Sequence, residues 1–203
     1  MCRFVAPVLL VSFVVSQNAG TVFSFQNLPL NGTLAVNDKS ATSSELPADN
    51  PFAAPSKLAL HAPPFDVIRV EHYLPAFMAG IKQQLDEMRA IADRSDAPTF
   101  ENTIVPIEKS GALLTRVEQV FSNLTSANTN KYLQNIQTEL APLLAAHSDN
   151  ILLNRKLFQR VEALYESRES LTLTGEQQEV LRRHYEDFVR AGARLPTEQQ
   201  TRI

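Results

Sequence analysis

The stretch APTFENTIVPIEKSGALLTRVEQVFSNLTSANTN, from Ala97 to Asn130, decides the fold. Thr99 is placed to accept a bond from the first free backbone N–H groups of a helix, and Glu101 sits in the positive first turn. Ile104, Ile107, Gly111, Leu114, Val117, Phe121 and Leu124 then recur at steps of three and four, which puts them on one helical face. Pro106 falls inside that pattern. It removes a backbone donor and crowds the preceding turn, so the regular helix is expected to begin just before it or to bend there. From Asn123 to Asn130 the Asn, Thr and Ser side chains compete for backbone bonds and should stop the helix. On this reading the stretch is the central helix. Gly111 lies within it and marks a close crossing, because a mid-helix glycine costs about 1 kcal/mol relative to alanine.

The neighbouring segments repeat the helical period. Upstream, Leu74, Phe77, Met78, Ile81, Leu85 and Met88 predict a helix from about Glu71 or Pro75 to Ala92, with Pro75 suited to the first turn. The short turn at Asp93 to Pro98 predicts that the two helices run antiparallel. Downstream, Leu133, Ile136, Leu140 and Leu144 predict a helix ending near His147, with Pro142 as a kink. Asn154 should cap a shorter helix carrying Leu157, Phe158, Val161, Leu164 and Tyr165. Thr174 and Gln177 form a capping box ahead of a helix reaching about Gly192. No alternating apolar run is long enough for a sheet, so the fold class is all-α, built of antiparallel helices.

The chain before these helices has a different character. Met1 to Gly20 carries one basic residue, Arg3, then an apolar run from Phe4 to Val15 and small or polar residues, the order of a secretory signal peptide. A run of roughly a dozen residues falls short of the about 20 that a membrane-spanning helix needs, so no permanent anchor is expected. Export to the periplasm or the exterior follows from this reading. A cytoplasmic protein with a misplaced start codon is the alternative. Six of the twelve prolines (Pro29, Pro47, Pro51, Pro55, Pro63 and Pro64) lie between Ser24 and Phe65. They predict a linker over 21–49 and then an extended arm over the helices, pinned by Phe52, Leu58, Leu60 and Phe65. The helical domain then spans 50–203.

Composition excludes several kinds of chemistry. The 203 residues are 44% hydrophobic and 20% charged, with a formal net charge of −3, which carries no electrostatic signature of nucleic-acid binding. Cys2 is the only cysteine, so disulfide frameworks and cysteine metal sites within one chain are ruled out. The histidines are His61, His72, His147 and His184. None opens an H-E-x-x-H zinc site, because Phe65, Ala76, Ile151 and Phe188 stand four residues on. His184 and Asp187 share a helical face, but two ligands do not close a zinc site, and a surface histidine beside acids is the simpler reading. Nucleophile elbows and phosphate-binding glycine loops are missing. Glu108-Lys109, Arg182-Arg183 and Glu186-Asp187 read as solvated helix faces. No catalytic, metal-binding or cofactor-binding residue is assigned, and substrate-binding positions are left open.

Three stretches carry a resemblance to a known family: NPFAAPSKLALHAPPFDVI from Asn50, the Ala97 to Asn130 stretch, and HYEDFVRAGARL from His184. Together they resemble the N-terminal part of bacterial peptidyl-dipeptidases, also called dipeptidyl carboxypeptidases, in the thimet oligopeptidase family of zinc metallopeptidases. The resemblance covers about Asn50 to Ile203. It implies a mostly helical, two-lobed peptidase with a deep channel, in which an H-E-x-x-H motif and a later glutamate hold zinc and dipeptides leave the C-terminus of short peptides. It further implies that all of those catalytic residues lie in the later part of such proteins, and that the N-terminal helices wall the channel. No position of this sequence matches the zinc motif, so none is carried over.

Thr197 and Gln200 read as another capping box, opening a helix just before Ile203. The expectation is therefore the leading portion of a larger zinc peptidase, inactive alone, completed by a catalytic part and acting then on short peptides. Its unfinished end should leave an apolar face exposed. The alternative is a free-standing helical module that binds peptides or a protein partner without catalysis, and beyond it a purely structural domain.

Overall fold

A computed structural model of the chain describes residues 46–200, and these belong to one compact unit. The expected signal peptide, most of the linker and the last three residues lie outside the described residues. Helices and turns make up the described part, with no strand among its residues. The all-α reading is correct. Among the described residues, no helix is long and apolar enough to cross a membrane.

Helix α1 spans Tyr73–Ala92, with Pro75 in its first turn as expected. Thr99 caps the next segment: its hydroxyl accepts the Asn102 N–H at 3.1 Å, and Asn102 Oδ1 accepts the Thr99 N–H at 2.8 Å. The cap opens a five-residue π-turn, Phe100–Ile104, that runs into a short helix α2, Val105–Lys109, with Pro106 at its start. There the expected central helix breaks. Gly111 takes the left-handed conformation at φ +67 and heads a separate helix α3, Ala112–Ala127. Two side chains of α1 hold the break. Glu87 Oε2 accepts the Gly111 N–H at 2.8 Å, and the Gln84 amide donates to Ser110 Oγ at 3.2 Å. Gly111 is thus not a mid-helix residue, although Gln84 does press on it, 2.5 Å from where a β-carbon would stand.

The close helix crossing is at Gly80 instead. A β-carbon there would meet the Leu114 backbone at 2.9 Å, so only glycine lets α1 and α3 come this near. Tyr73 packs edge-on to Phe121 with ring centroids 5.1 Å apart, while Glu87 at the other end of α1 reaches Gly111; the two helices are therefore antiparallel.

Asn130 caps helix α4, Lys131–Leu152, which continues through Pro142 and past His147 rather than ending there. Asn154 caps α5, Arg155–Ser167, and the Thr174–Gln177 box opens α6, Gly175–Arg190. A final turn of helix, α7, spans Thr197–Gln200. Its first bonds go to the Pro196 carbonyl, and the Gln200 amide turns back to the Gly192 and Ala193 carbonyls.

The apolar stripe of the Ala97–Asn130 stretch is shared between two cores. Leu114, Val117 and Phe121 pack with Phe52, Tyr73, Phe77, Leu133 and Leu140. Ile104 and Ile107, on the other side of the break, pack with Met88, Ile91, Leu157, Phe158, Val161, Leu181 and Phe188. Helix α1 contributes to both clusters and touches α2, α3, α4 and α5, which makes it the true centre of the fold. The second cluster is rimmed by Tyr165 and Tyr185, stacked at 3.8 Å, with Arg168 over the first ring and Arg194 over the second.

Only one of the four expected arm residues pins the arm. Phe52 is buried, its ring 5.5 Å from that of Tyr73 and its carbonyl bonded to Arg116 at 2.9 Å. Asn50 helps by donating to the His72 carbonyl at 3.1 Å. Leu58 and Phe65 are mostly exposed and Leu60 entirely so. Leu60 and His61 are both left-handed, with φ 57 and 56. That conformation costs an L-residue roughly 1–2 kcal/mol.

Candidate functional site

The four histidines go to four separate places. His61 donates from Nδ1 to the Ser56 carbonyl at 2.9 Å, and His72 Nδ1 accepts the Arg69 N–H at 2.9 Å, so both serve local turns. His184 meets Glu108 across α6 and α2, Nε2 to Oε1 at 2.7 Å, and this bond pulls the Glu108 carboxyl below its ordinary value. Asp187, the other residue considered beside His184, lies 3.6 Å from Arg190 instead. Glu186 is taken up by Arg182 and Arg190. Glu108 and Glu186 thus make surface ion pairs across and along helices, on the solvated faces expected of them.

His147 is the histidine that sequence spacing misjudged. It is buried on α4, and its Nε2–H donates to Gln84 Oε1 at 2.8 Å. The Gln84 amide passes the chain of bonds to Ser110, whose hydroxyl donates to the Ile107 carbonyl at 2.7 Å. His147, Gln84 and Ser110, with Glu87 beside them, form a polar seam between the two apolar clusters. Nδ1 of His147 faces no partner, and burial lowers the pKa of the ring. A second buried polar residue, Arg160 on α5, donates to the Arg94 and Asp96 carbonyls at 3.1 and 2.9 Å and to Asn102 Oδ1 at 3.0 Å. Asp96 is held at about 2 by the fork from Arg94. Both networks fasten helix ends and linkers.

Among the described residues, no three His, Cys, Asp or Glu side chains converge as a metal site would require.

A shallow, open and mostly apolar depression lies between the starts of α1 and α4. Val70, Glu71, Leu74 and Pro75 line one side and Tyr132 and Ile136 the other. Tyr132 is 73% exposed and stands over the groove as a free aromatic rim. Glu71 is its one charged group. The Leu74 and Ile136 periodicity was legible in the sequence. Their position at a rim rather than in the core was not, because it depends on where α4 starts relative to α1.

The described residues form an all-helical unit. By sequence it is related to bacterial peptidases. It is 42% identical over 154 residues to the dipeptidyl carboxypeptidases of Salmonella typhimurium and of Escherichia coli, a match covering 76% of this chain and 23% of each relative. Oligopeptidase A of Escherichia coli is 26% identical over 153 residues, 75% of this chain and 22% of that protein. No family model matches the chain. The chain spans about a quarter of the length of the curated relatives it matches. The resemblance read from the three stretches is correct: this is a relative of the dipeptidyl carboxypeptidases and, more distantly, of oligopeptidase A.

Proposed function

We propose that this chain is the N-terminal helical portion of a zinc metallopeptidase of the dipeptidyl carboxypeptidase type, which contributes to handling oligopeptides only when joined to a catalytic part. The observation that carries this reading is the 42% identity over 154 residues set against 23% coverage of the relatives. The absence of H-E-x-x-H from the 203 residues supports the further point that the chain does not hydrolyse peptides alone. Zinc belongs, on this reading, to the complete proteins and not to this chain. Export, suggested by the apolar run from Phe4 to Val15, is part of the same proposal.

The test is direct. The purified full chain should bind no stoichiometric zinc and release no dipeptide from a blocked tetrapeptide. Chelator-sensitive release by the chain alone would overturn the proposal. The groove between α1 and α4 favours one second reading, a free-standing peptide-binding module. That reading requires saturable binding of unfolded peptides by the isolated chain, lost on Tyr132→Ala.

A further inference from the structure

From Ala53 to His72 no residue is buried, the longest such run among the described residues. The bonds of this arm are local. The His61 and Ala62 N–H groups donate to the Leu58 and Ala59 carbonyls, His61 Nδ1 to the Ser56 carbonyl, and the Val67 and Ile68 N–H groups to the Pro64 carbonyl. Other linkers are fastened from a distance: Arg160 on α5 holds the Arg94 and Asp96 carbonyls, and Gln84 and Glu87 on α1 hold Ser110 and Gly111. The arm is nevertheless closed at its base. Asn50 donates to the His72 carbonyl at 3.1 Å, the buried Phe52 and Tyr73 rings lie 5.5 Å apart, and Arg116 holds the Phe52 carbonyl.

An endopeptidase binds its substrate as an extended strand, so a folded chain is cut where a segment opens without breaking a core. Leu60 meets that condition twice. Its side chain is 99% exposed and free to fill an apolar specificity pocket. Its backbone is left-handed, at φ 57 and ψ 19, so that extension relieves strain instead of creating it. Phe65, the other large apolar side chain at the tip, is held in the turn bonded to the Pro64 carbonyl and is followed by Asp66. We propose that the Leu60–His61 peptide bond is the point at which an endopeptidase accepting a large apolar side chain nicks this folded chain, and that the two pieces stay assembled. Hydrolysis adds one water across the bond, leaving a carboxylate on Leu60 and an ammonium group on His61. The pieces remain joined because the contacts at the base of the arm, Asn50 to His72 and Phe52 to Tyr73, lie on opposite sides of the cut.

The experiment treats the purified full chain with a small amount of subtilisin, whose broad specificity leaves the choice of bond to the fold, and reads the products by mass spectrometry. The first cut within residues 46–200 should give one piece ending at Leu60 and one beginning at His61, and the two should elute together on sizing with undiminished helical circular dichroism. Leu60→Asp should slow that cut at least tenfold while leaving the melting temperature unchanged or raised, since Leu60 is buried against nothing and Asp tolerates the left-handed region better. Gly111→Ala, which strains the distant break between α2 and α3, should leave the rate of the Leu60 cut unchanged. A cut that waits for global unfolding would instead quicken about tenfold in that variant, and would overturn the proposal. A first cut elsewhere within 46–200, or pieces that separate on sizing, would overturn it as well.

Discussion

His147 shows how a single residue changes meaning once the chain folds. Its neighbours in sequence suggest a helix end, yet it is buried against α1, with Nε2–H on Gln84 and an unpartnered Nδ1. Protonation would place a second N–H where no acceptor waits, and burial accordingly lowers the pKa from the ordinary histidine value. The unfolded chain therefore binds the proton more readily than the folded one. The stabilisation is complete above the unfolded pKa of about 6.5 and is lost as pH falls from there through the lower folded value. The depressed Glu108 carboxyl acts with the same sign but in a more acidic window, below its ordinary 4.5. Melting temperature should thus decline between pH 7 and pH 5. His147→Gln, which retains a donor to Gln84, should flatten that decline at a cost of about 1 kcal/mol or less at pH 7. An unchanged pH profile in the variant would reject the assignment.

At the scale of elements, the decisive event is the break between α2 and α3. The apolar period runs through it without a fault, from Ile107 to Gly111 to Leu114, so periodicity alone predicts one helix. What ends α2 is a set of alternatives to the helical bonds: Ser110 Oγ on the Ile107 carbonyl, Glu87 on the Gly111 N–H, and a residue able to sit at φ +67. Gly111→Ala should lower stability by about 1–2 kcal/mol through the left-handed backbone alone, and by more through the crowding of Gln84. Gly175→Ala, at the first residue of α6 with nothing within 4 Å of the added carbon, should be neutral or stabilising by up to about 1 kcal/mol. Urea unfolding of the two variants checks both signs, and equal losses would refute this account of the break. The caps, by contrast, were legible residue by residue. Thr99, Asn154 and Thr174 each bond the N–H that their position predicts, because capping is settled within four residues of chain.

For the domain as a whole, two apolar clusters meet along α1, with the seam of Gln84, Glu87, Ser110 and His147 between them. Because one continuous helix supplies side chains to both, neither cluster can lose its packing without exposing the other's share of α1. Tryptophan reporters at Phe121 and Phe158, one in each cluster, should therefore unfold at the same urea concentration. Separate midpoints would show two independent units.

By itself the sequence determined the class and the kinship. Helical period, caps and the three family-like stretches are local properties, carried by residues within a few turns of one another or by the order of the words. Only the tertiary structure decided which helix is central, where the close crossing lies, that Leu58, Leu60 and Phe65 face outward, and that His147 faces inward. Each of those depends on what a distant element places opposite: Leu114 against Gly80, Gln84 against both Gly111 and His147, and nothing at all against Leu60.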